Sequence, residues 1–119
     1  MYKIIVIDDD NSTRESLSMY LDELGYNVLE ADNGLTGLEL IKKELPDLVI
    51  TDMKMSGLNG IELAYVVKGL NLNIPIIMIS SYDNYDYCFS DSYFHAFLQK
   101  PLDISALRRQ IGSALRKVA

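Results

Sequence analysis

The chain has 119 residues, of which 49% are hydrophobic and 24% charged, a length that suits one compact domain and leaves no room for a second. Its formal net charge of −6 argues against DNA binding, because a nucleic-acid interface needs clustered Lys and Arg. A single cysteine, Cys88, excludes an internal disulfide, and no apolar run is long enough for a membrane helix, so we expect one cytoplasmic domain over residues 1–119.

Five short apolar segments predict β-strands. Three of them, which begin near Ile4, Leu48 and Ile76, are continuously apolar rather than alternating. This pattern is typical of central strands of a parallel sheet, because helices cover both of their faces. The predicted strands run from Lys3 to Ile7, Asn27 to Ala31, Leu48 to Thr51, Ile76 to Ile79 and Ala96 to Leu98.

Apolar residues recur at helical spacing between these strands, which predicts amphipathic helices. Ser12 to Glu15 has the spacing of a capping box at the first helix start, Gly25 follows that helix as a C′ residue, and Asp103 is placed to cap the last helix. Alternating strands and helices predict a doubly wound α/β domain, with helices on both faces of a parallel sheet. The apolar stripes are Leu17-Leu21-Leu24, Leu38-Ile41-Leu45, Leu63-Val67-Leu70 and Leu107-Ile111-Leu115.

The residues directly after the predicted strands are acidic, hydroxyl-bearing or basic, and doubly wound folds place their sites at that edge. Asp8 to Asp10 follow the first strand, Asp52 the third, Ser80 the fourth and Lys100 the fifth. Crowded carboxylates need a cation, and oxygen-only ligands favour Mg²⁺, with Mn²⁺ as a substitute. Asp52 could attack a phosphoryl group whose oxygens Lys100 and Ser80 stabilise.

Five stretches of sequence together carry a resemblance to a known family. They run from Ile5 to Asp10, Pro46 to Met55, Asn59 to Leu63, Ile74 to Ser80 and Phe97 to Pro101. In this order they resemble the receiver domain of bacterial two-component response regulators, over essentially the whole chain. The resemblance implies a flavodoxin-like sheet of order 2-1-3-4-5 with five helices, and a signalling phosphoprotein with self-catalysed phosphotransfer and dephosphorylation.

The resemblance also implies the roles of the metal and acceptor residues. Asp52 would be the phosphoacceptor, and Asp9 would bind Mg²⁺ directly. Asp8 would help directly or through water. The backbone carbonyl of Lys54, two residues beyond the acceptor, would be a further metal ligand. The phosphoryl donor implied is a sensor histidine kinase or a histidine phosphotransfer protein.

A second group of residues is implied to respond to the phosphoryl group. Lys100, before a cis bond to Pro101, would pair with it, and the Ser80 hydroxyl would swing to hydrogen-bond it. Phe97 fills the aromatic switch position. The output surface would comprise the fourth helix, the fifth strand and the fifth helix, facing a downstream output domain or protein or a second copy of the chain.

The sequence departs from the family pattern at two places. Ser56 stands where most relatives have proline, and Tyr93-Phe94 stands where they usually have Gly-Ala. From Tyr82 to Phe94 the chain holds six aromatic residues among mediocre helix formers. One hypothesis is that the fourth helix is short, distorted or mobile and that its aromatic residues form a surface for a partner or for a second copy of the chain. The alternative is that these rings pack inward around Tyr93 and Phe94.

Other functions remain open at this point. Asp8 to Ser12 also fits the Asp-x-Asp-x-Ser/Thr signature of haloacid-dehalogenase-type phosphatases, although only Asp103 follows Lys100 where those enzymes need an acidic pair. A receiver that binds partners without being phosphorylated is a further possibility. Each polar residue taken singly also has a structural interpretation, such as a helix cap for Asp8 to Asp10. Whether the domain stands alone or belongs to a longer regulator is left open.

Overall fold

The computed structural model describes residues 1–81 and 93–118. Five parallel strands form one sheet in the order β2-β1-β3-β4-β5, which confirms the predicted doubly wound fold and its strand order. The strands are β1 (Lys3–Ile7), β2 (Asn27–Ala31), β3 (Leu48–Asp52), β4 (Ile76–Ser80) and β5 (Ala96–Gln99). The described helices are α1 (Asn11–Glu23), α2 (Gly34–Glu44), α3 (Gly60–Gly69) and α4 (Ile104–Val118).

The predicted strands agree with the structure, but three of them extend one residue further. Asp52 pairs with Ile79, and Ser80 pairs with Gln99, so both polar residues belong to the sheet. The sequence placed them just after their strands because the apolar runs end before them. The predicted fourth helix falls on residues 82–92, which lie outside the described residues, and α4 is therefore the helix predicted as the fifth.

Two hydrophobic clusters cover the two faces of the sheet, as expected for a parallel sheet between helical layers. Successive strand residues point to opposite faces, so Ile4 and Val6 join one cluster while Ile5 and Ile7 join the other. The first cluster includes Leu17 of α1 together with α4 side chains, and the second includes residues of α2 and α3. Tyr93 and Phe94 pack against the second cluster, which agrees with inward packing for this pair.

The helix ends agree with two of the three capping predictions. Gly25 has φ of 95° and donates its N–H to Asp22, as a C′ glycine does, and Asp103 accepts the Ser105 N–H at 2.9 Å. The prediction for α1 was wrong, because the helix begins at Asn11 with Asp10 as the N-cap. The N-cap thus lies two residues before the predicted Ser12, and the Thr13 hydroxyl donates to its carboxylate.

No helix among the residues that the structure describes combines the length and the apolar character needed to cross a membrane.

Candidate functional site

Three carboxylates converge at the carboxyl end of the sheet. Asp8 and Asp9 follow β1, and Asp52 is the last residue of the neighbouring β3. One carboxylate oxygen from each lies within 4.8 Å of the other two. Asp8 has no exposed surface and Asp52 is 8% exposed, whereas Asp9 is exposed to solvent. The cluster is therefore a pocket with one open side.

Asp8 is held at several points. Its N–H donates to the Ala31 carbonyl at 3.1 Å, and its carboxylate accepts the Asp10 N–H at 2.9 Å. The other carboxylate oxygen lies 3.3 Å from Lys100 Nζ, and the Asp8 carbonyl accepts from Arg14 Nη1 at 2.9 Å. These contacts satisfy a carboxylate that burial would otherwise destabilise.

Lys100 joins the acidic cluster from the end of β5. Its ammonium lies 3.3 Å from Asp8 Oδ2 and 3.7 Å from Asp52 Oδ1, and its backbone N–H donates to the Ser80 carbonyl at 2.7 Å. The peptide bond to Pro101 is cis, as the sequence resemblance implied. The side chain therefore acts as a counter-ion between two carboxylates that come from different strands.

The Asp52 carboxylate is disfavoured as a charged group in the folded protein. Burial raises the pKa of Asp52 to about 6, and the negative charges of Asp8 and Asp9 act in the same direction. Lys100 lowers the pKa of Asp52 but does not offset these effects. A bound cation would remove part of the repulsion that the three carboxylates exert on one another.

The donor set fits a hard divalent cation. All three candidate ligands are carboxylate oxygens, with no His or Cys in the group, and this is the chemistry that Mg²⁺ prefers. Asp9 offers an exposed oxygen for a hydrated ion, while the buried Asp8 and Asp52 supply negative charge that the single ammonium of Lys100 offsets only in part. Lys54 lies in the β3–α3 loop two residues beyond Asp52, where the sequence placed it.

The predicted site residues lie on the two opposite faces of the sheet. Asp8, Asp52 and Lys100 continue the alternation of strand residues that face the α1 and α4 layer. Ser80 continues the opposite series in β4, and it is 1% exposed. Phe97 belongs to that opposite face too, where it is half-buried against the second cluster.

Two glycines bring helices α2 and α3 close to the site. A Cβ atom at Gly60 would lie 2.6 Å from the Asp52 carbonyl oxygen, and the Gly60 N–H donates to the Met53 carbonyl at 2.8 Å. A Cβ atom at Gly34 would clash with the Leu58 carbonyl oxygen. The α2 and α3 termini therefore pack directly on the loop that carries Lys54.

Sequence reasoning missed the role of Arg14 and of these two glycines at the site. Arg14 was read only as part of a capping box, and Gly60 only as part of a family match. The Asn-Gly pairs at Asn33-Gly34 and Asn59-Gly60 were the available signal, because each asparagine caps a helix whose first residue is a buried glycine.

Comparison with curated proteins gives consistent similarities. A family model described as the response regulator receiver domain matches residues 4–112. Sporulation initiation phosphotransferase F of Bacillus subtilis (strain 168) is 35% identical over 115 residues, which cover 95% of this chain and 93% of that protein. Transcriptional regulatory protein ZraR of Klebsiella oxytoca is 35% identical over 114 residues, but the chain spans only 26% of its length.

Solved structures give the same result for the fold. The receiver domain of the Francisella response regulator 1452 matches with a TM-score of 0.92 and 26% identity, and the match covers all of both chains. Response regulator TrrA from Thermotoga maritima, solved in complex with Mg(2+)-BeF, matches with a TM-score of 0.90 and 30% identity. That match covers 97% of this chain and 100% of TrrA.

Proposed function

The chain belongs to the response regulator receiver domain family, and from this premise we propose that Asp52 accepts a phosphoryl group in a Mg²⁺-dependent reaction. The observation that carries the proposal is the convergence of Asp8, Asp9 and Asp52 within 4.8 Å, with the Lys100 ammonium 3.7 Å from Asp52. A nucleophile, a cation site and a fixed positive charge thus occupy one pocket.

Asp8, Asp9, Asp52 and the backbone carbonyl of Lys54 are the proposed protein ligands of Mg²⁺. The Mg(2+)-BeF complex of the relative TrrA supports a magnesium site in this family. When bound, Mg²⁺ would neutralise negative charge on the carboxylates and on the oxygens of a phosphoryl group. The exposed Asp9 is proposed as a direct ligand, and Asp8 as a ligand directly or through water.

The proposed reaction is an in-line displacement at phosphorus. One Asp52 carboxylate oxygen attacks the phosphorus of a phosphohistidine on a histidine kinase or histidine phosphotransfer protein. The P–N bond breaks, its electron pair stays on the histidine nitrogen, and an acyl phosphate forms on Asp52. The Lys100 ammonium, already beside Asp52, pairs with the transferred oxygens.

The response to phosphorylation is proposed to involve Ser80 and Phe97. The Ser80 hydroxyl, at the end of β4, would hydrogen-bond the phosphoryl group, and Phe97 would move further into the protein from its half-buried position. Phe97 has no hydroxyl, so its movement depends on burial of the ring. The surface formed by β5, α4 and the chain between β4 and β5 would then contact an output domain, an output protein or a second copy.

We also propose that residues 1–119 form one receiver domain that works in the cytoplasm. The family match over residues 4–112 and the continuous sheet support a single domain. The chain spans only 31% of a cyclic di-GMP phosphodiesterase of Thermotoga maritima that is 31% identical to it, so receivers of this family also occur within longer regulators.

The test is direct chemical phosphorylation. The protein is incubated with MgCl₂ and acetyl phosphate, and the intact mass is measured with and without EDTA. We expect a gain of one phosphoryl group that requires Mg²⁺ and is absent in Asp52→Asn. Borohydride reduction of the acyl phosphate, followed by peptide mapping, identifies the modified residue.

The same variants separate the proposal from its alternatives. A mass gain that persists in Asp52→Asn and disappears in Asp8→Asn would support a phosphatase-like nucleophile at Asp8 instead. No gain in the wild type, with acetyl phosphate and with phosphoramidate as an N–P donor, would support a receiver that binds partners without being phosphorylated. Circular dichroism of each variant verifies that it is folded.

A further inference from the structure

Arg14 links three elements beside the acidic pocket. It lies in α1, its Nη1 donates to the Asp8 carbonyl at 2.9 Å, and its Nε donates to Glu30 Oε1 of β2 at 3.0 Å. The Arg14 side chain is only 12% exposed, whereas that of Glu30 is 40% exposed. The guanidinium is therefore largely removed from water and fixed by two partners.

The carbonyl that Arg14 binds has no partner in the sheet ladder. The pairing of β1 with both neighbours ends at Ile7, so the Asp8 carbonyl lies beyond the last backbone pair. A buried carbonyl without a hydrogen bond is costly, and Arg14 supplies the bond from a side chain. The contact also fixes the plane of the peptide between Asp8 and Asp9.

The orientation of this peptide matters most for Asp9. Among the described residues, none donates a hydrogen bond to the Asp9 carboxylate, whereas Asp8 has bonds at its N–H, its carbonyl and its carboxylate. The position of the Asp9 oxygens therefore depends on where the backbone leaves β1. A rotation of the Asp8–Asp9 peptide would change the position of the Asp9 carboxylate relative to Asp8 and Asp52.

Glu30 gives the guanidinium a defined direction. An arginine beside three carboxylates would otherwise pair with them and compete with a metal ion. The ion pair with Glu30 holds Nε on the β2 side, so that Nη1 reaches the backbone carbonyl.

We propose that Arg14, held by Glu30, is a positioning residue for Mg²⁺ binding. It fixes the Asp8–Asp9 peptide and so keeps the Asp9 carboxylate close enough to Asp8 and Asp52 for all three to bind one ion. The proposal rests on the proposed function. Arg14 and Glu30 would donate no ligand atom themselves. Replacing a residue that holds a metal ligand in place nevertheless commonly changes metal affinity by about 10-fold or more.

Replacing Arg14 with a neutral residue has a second effect on Mg²⁺ affinity. The loss of its positive charge would strengthen cation binding, whereas the loss of positioning would weaken it. Glu30 already offsets the Arg14 charge, and salt at physiological strength screens what remains. Arg14→Lys separates the two effects, since it keeps the charge but loses the planar fork that bonds Asp8 and Glu30 together.

The experiment measures the dissociation constant of Mg²⁺ alone, by calorimetry with MgCl₂, for the wild type, Arg14→Gln, Arg14→Lys and Glu30→Gln. The matched control is Glu44→Gln, which breaks a 3.0 Å ion pair with Lys3 at the opposite end of β1. We expect Arg14→Gln and Arg14→Lys to bind Mg²⁺ about tenfold more weakly, Glu30→Gln to show a smaller loss, and Glu44→Gln to bind as the wild type does.

Urea unfolding without divalent cations is measured on the same samples. A purely structural role would lower the midpoint of unfolding while the folded protein keeps its Mg²⁺ affinity, and this result overturns the inference. Unchanged or tighter Mg²⁺ binding by Arg14→Lys overturns it as well, even if Arg14→Gln fails to fold. Absence of Mg²⁺ binding by the wild type would refute the proposed function, and this inference with it.

Discussion

Asp52 occupies the pocket at a cost to the stability of the metal-free protein. Burial raises its pKa to about 6 from the usual 3.8, so the folded protein binds its proton more tightly than the unfolded chain does. The contribution of Asp52 to stability is therefore fully present below about pH 4 and is lost as the pH rises through 6. The proposed nucleophile would have to be ionised at neutral pH, and in that charged form it stabilises the fold least.

Asp52→Asn should accordingly stabilise the metal-free protein at neutral pH. The gain in the free energy of unfolding relative to the wild type should be larger at pH 7.5 than at pH 5 by about 1 kcal/mol, because Asn carries no charge to bury. Urea unfolding at both pH values without divalent cations measures the difference. An equal gain at the two pH values would show that the pKa of Asp52 is not raised.

Lys100→Met should have the opposite effect without metal. Asp8, which has no exposed surface, would lose a charged partner, and we expect a loss of about 1 to 3 kcal/mol. The stabilisation by added Mg²⁺ should increase, since the ion no longer shares the carboxylates with an ammonium. Thermal unfolding with EDTA and with Mg²⁺ measures both effects. Lys42→Met, which removes an exposed lysine of α2, is the control.

At the scale of single residues, sequence reasoning predicted the acidic cluster and Lys100 because parallel strands end at one edge. It could not predict the Arg14 contact with the Asp8 carbonyl. That bond depends on the path of a long side chain between α1 and β2, and spacing along the chain says nothing about it. The predicted N-cap of α1 was wrong because capping-box spacing does not show at which polar residue the extended backbone ends, and in the structure that residue is Asp10.

At the scale of elements, the start of α2 holds the β3–α3 loop through Gly34. We expect Gly34→Ala to destabilise the protein by about 3 kcal/mol, because its Cβ would clash with the backbone carbonyl oxygen of Leu58. Gly69→Ala, at the end of α3, meets nothing within 4 Å and should be neutral or stabilising by up to about 1 kcal/mol. Equal effects of the two substitutions in urea unfolding would contradict this view of Gly34.

The elements themselves were largely predictable. Continuous apolar runs predicted the central strands. The predicted β3 and β4 each ended one residue before the observed strand, because their last residues, Asp52 and Ser80, are polar. Hydropathy could not predict that these polar residues are paired within the sheet, because the pairing of Asp52 with Ile79 depends on the register between β3 and β4. The expectation for the fourth helix falls on residues that the structure does not describe, so its mobility stays a prediction.

At the scale of the whole molecule, the site joins segments that are distant in sequence. Lys100 and Asp8 are 92 positions apart, and the proposed metal ligands lie at the ends of adjacent strands at the centre of the sheet. A ligand that binds only the assembled pocket stabilises the complete fold rather than one loop. Composition alone predicted one domain, but the order of the strands came from the resemblance, because alternating elements do not determine the order within a sheet.

Mg²⁺ should therefore raise the midpoint of the single cooperative unfolding transition. At a concentration about 100-fold above its dissociation constant, we expect about 2.7 kcal/mol of added stability. Asp9→Asn should remove most of this gain while leaving the metal-free stability within about 0.5 kcal/mol, because Asp9 is exposed. Urea titrations at several Mg²⁺ concentrations measure it. Full stabilisation of Asp9→Asn would exclude Asp9 as a ligand.

The unequal exposure of Asp8 and Asp9 also bears on kinetics. In the proposed magnesium site, an incoming hydrated ion would meet the exposed Asp9 oxygens first, so this carboxylate would govern the rate of ion binding. Asp8 has no exposed surface and is already bonded to Lys100 and to the Asp10 amide, so in the proposed site it would govern the rate at which a bound ion is released. Two consecutive aspartates would thereby control different steps, one the binding of the ion and the other its release.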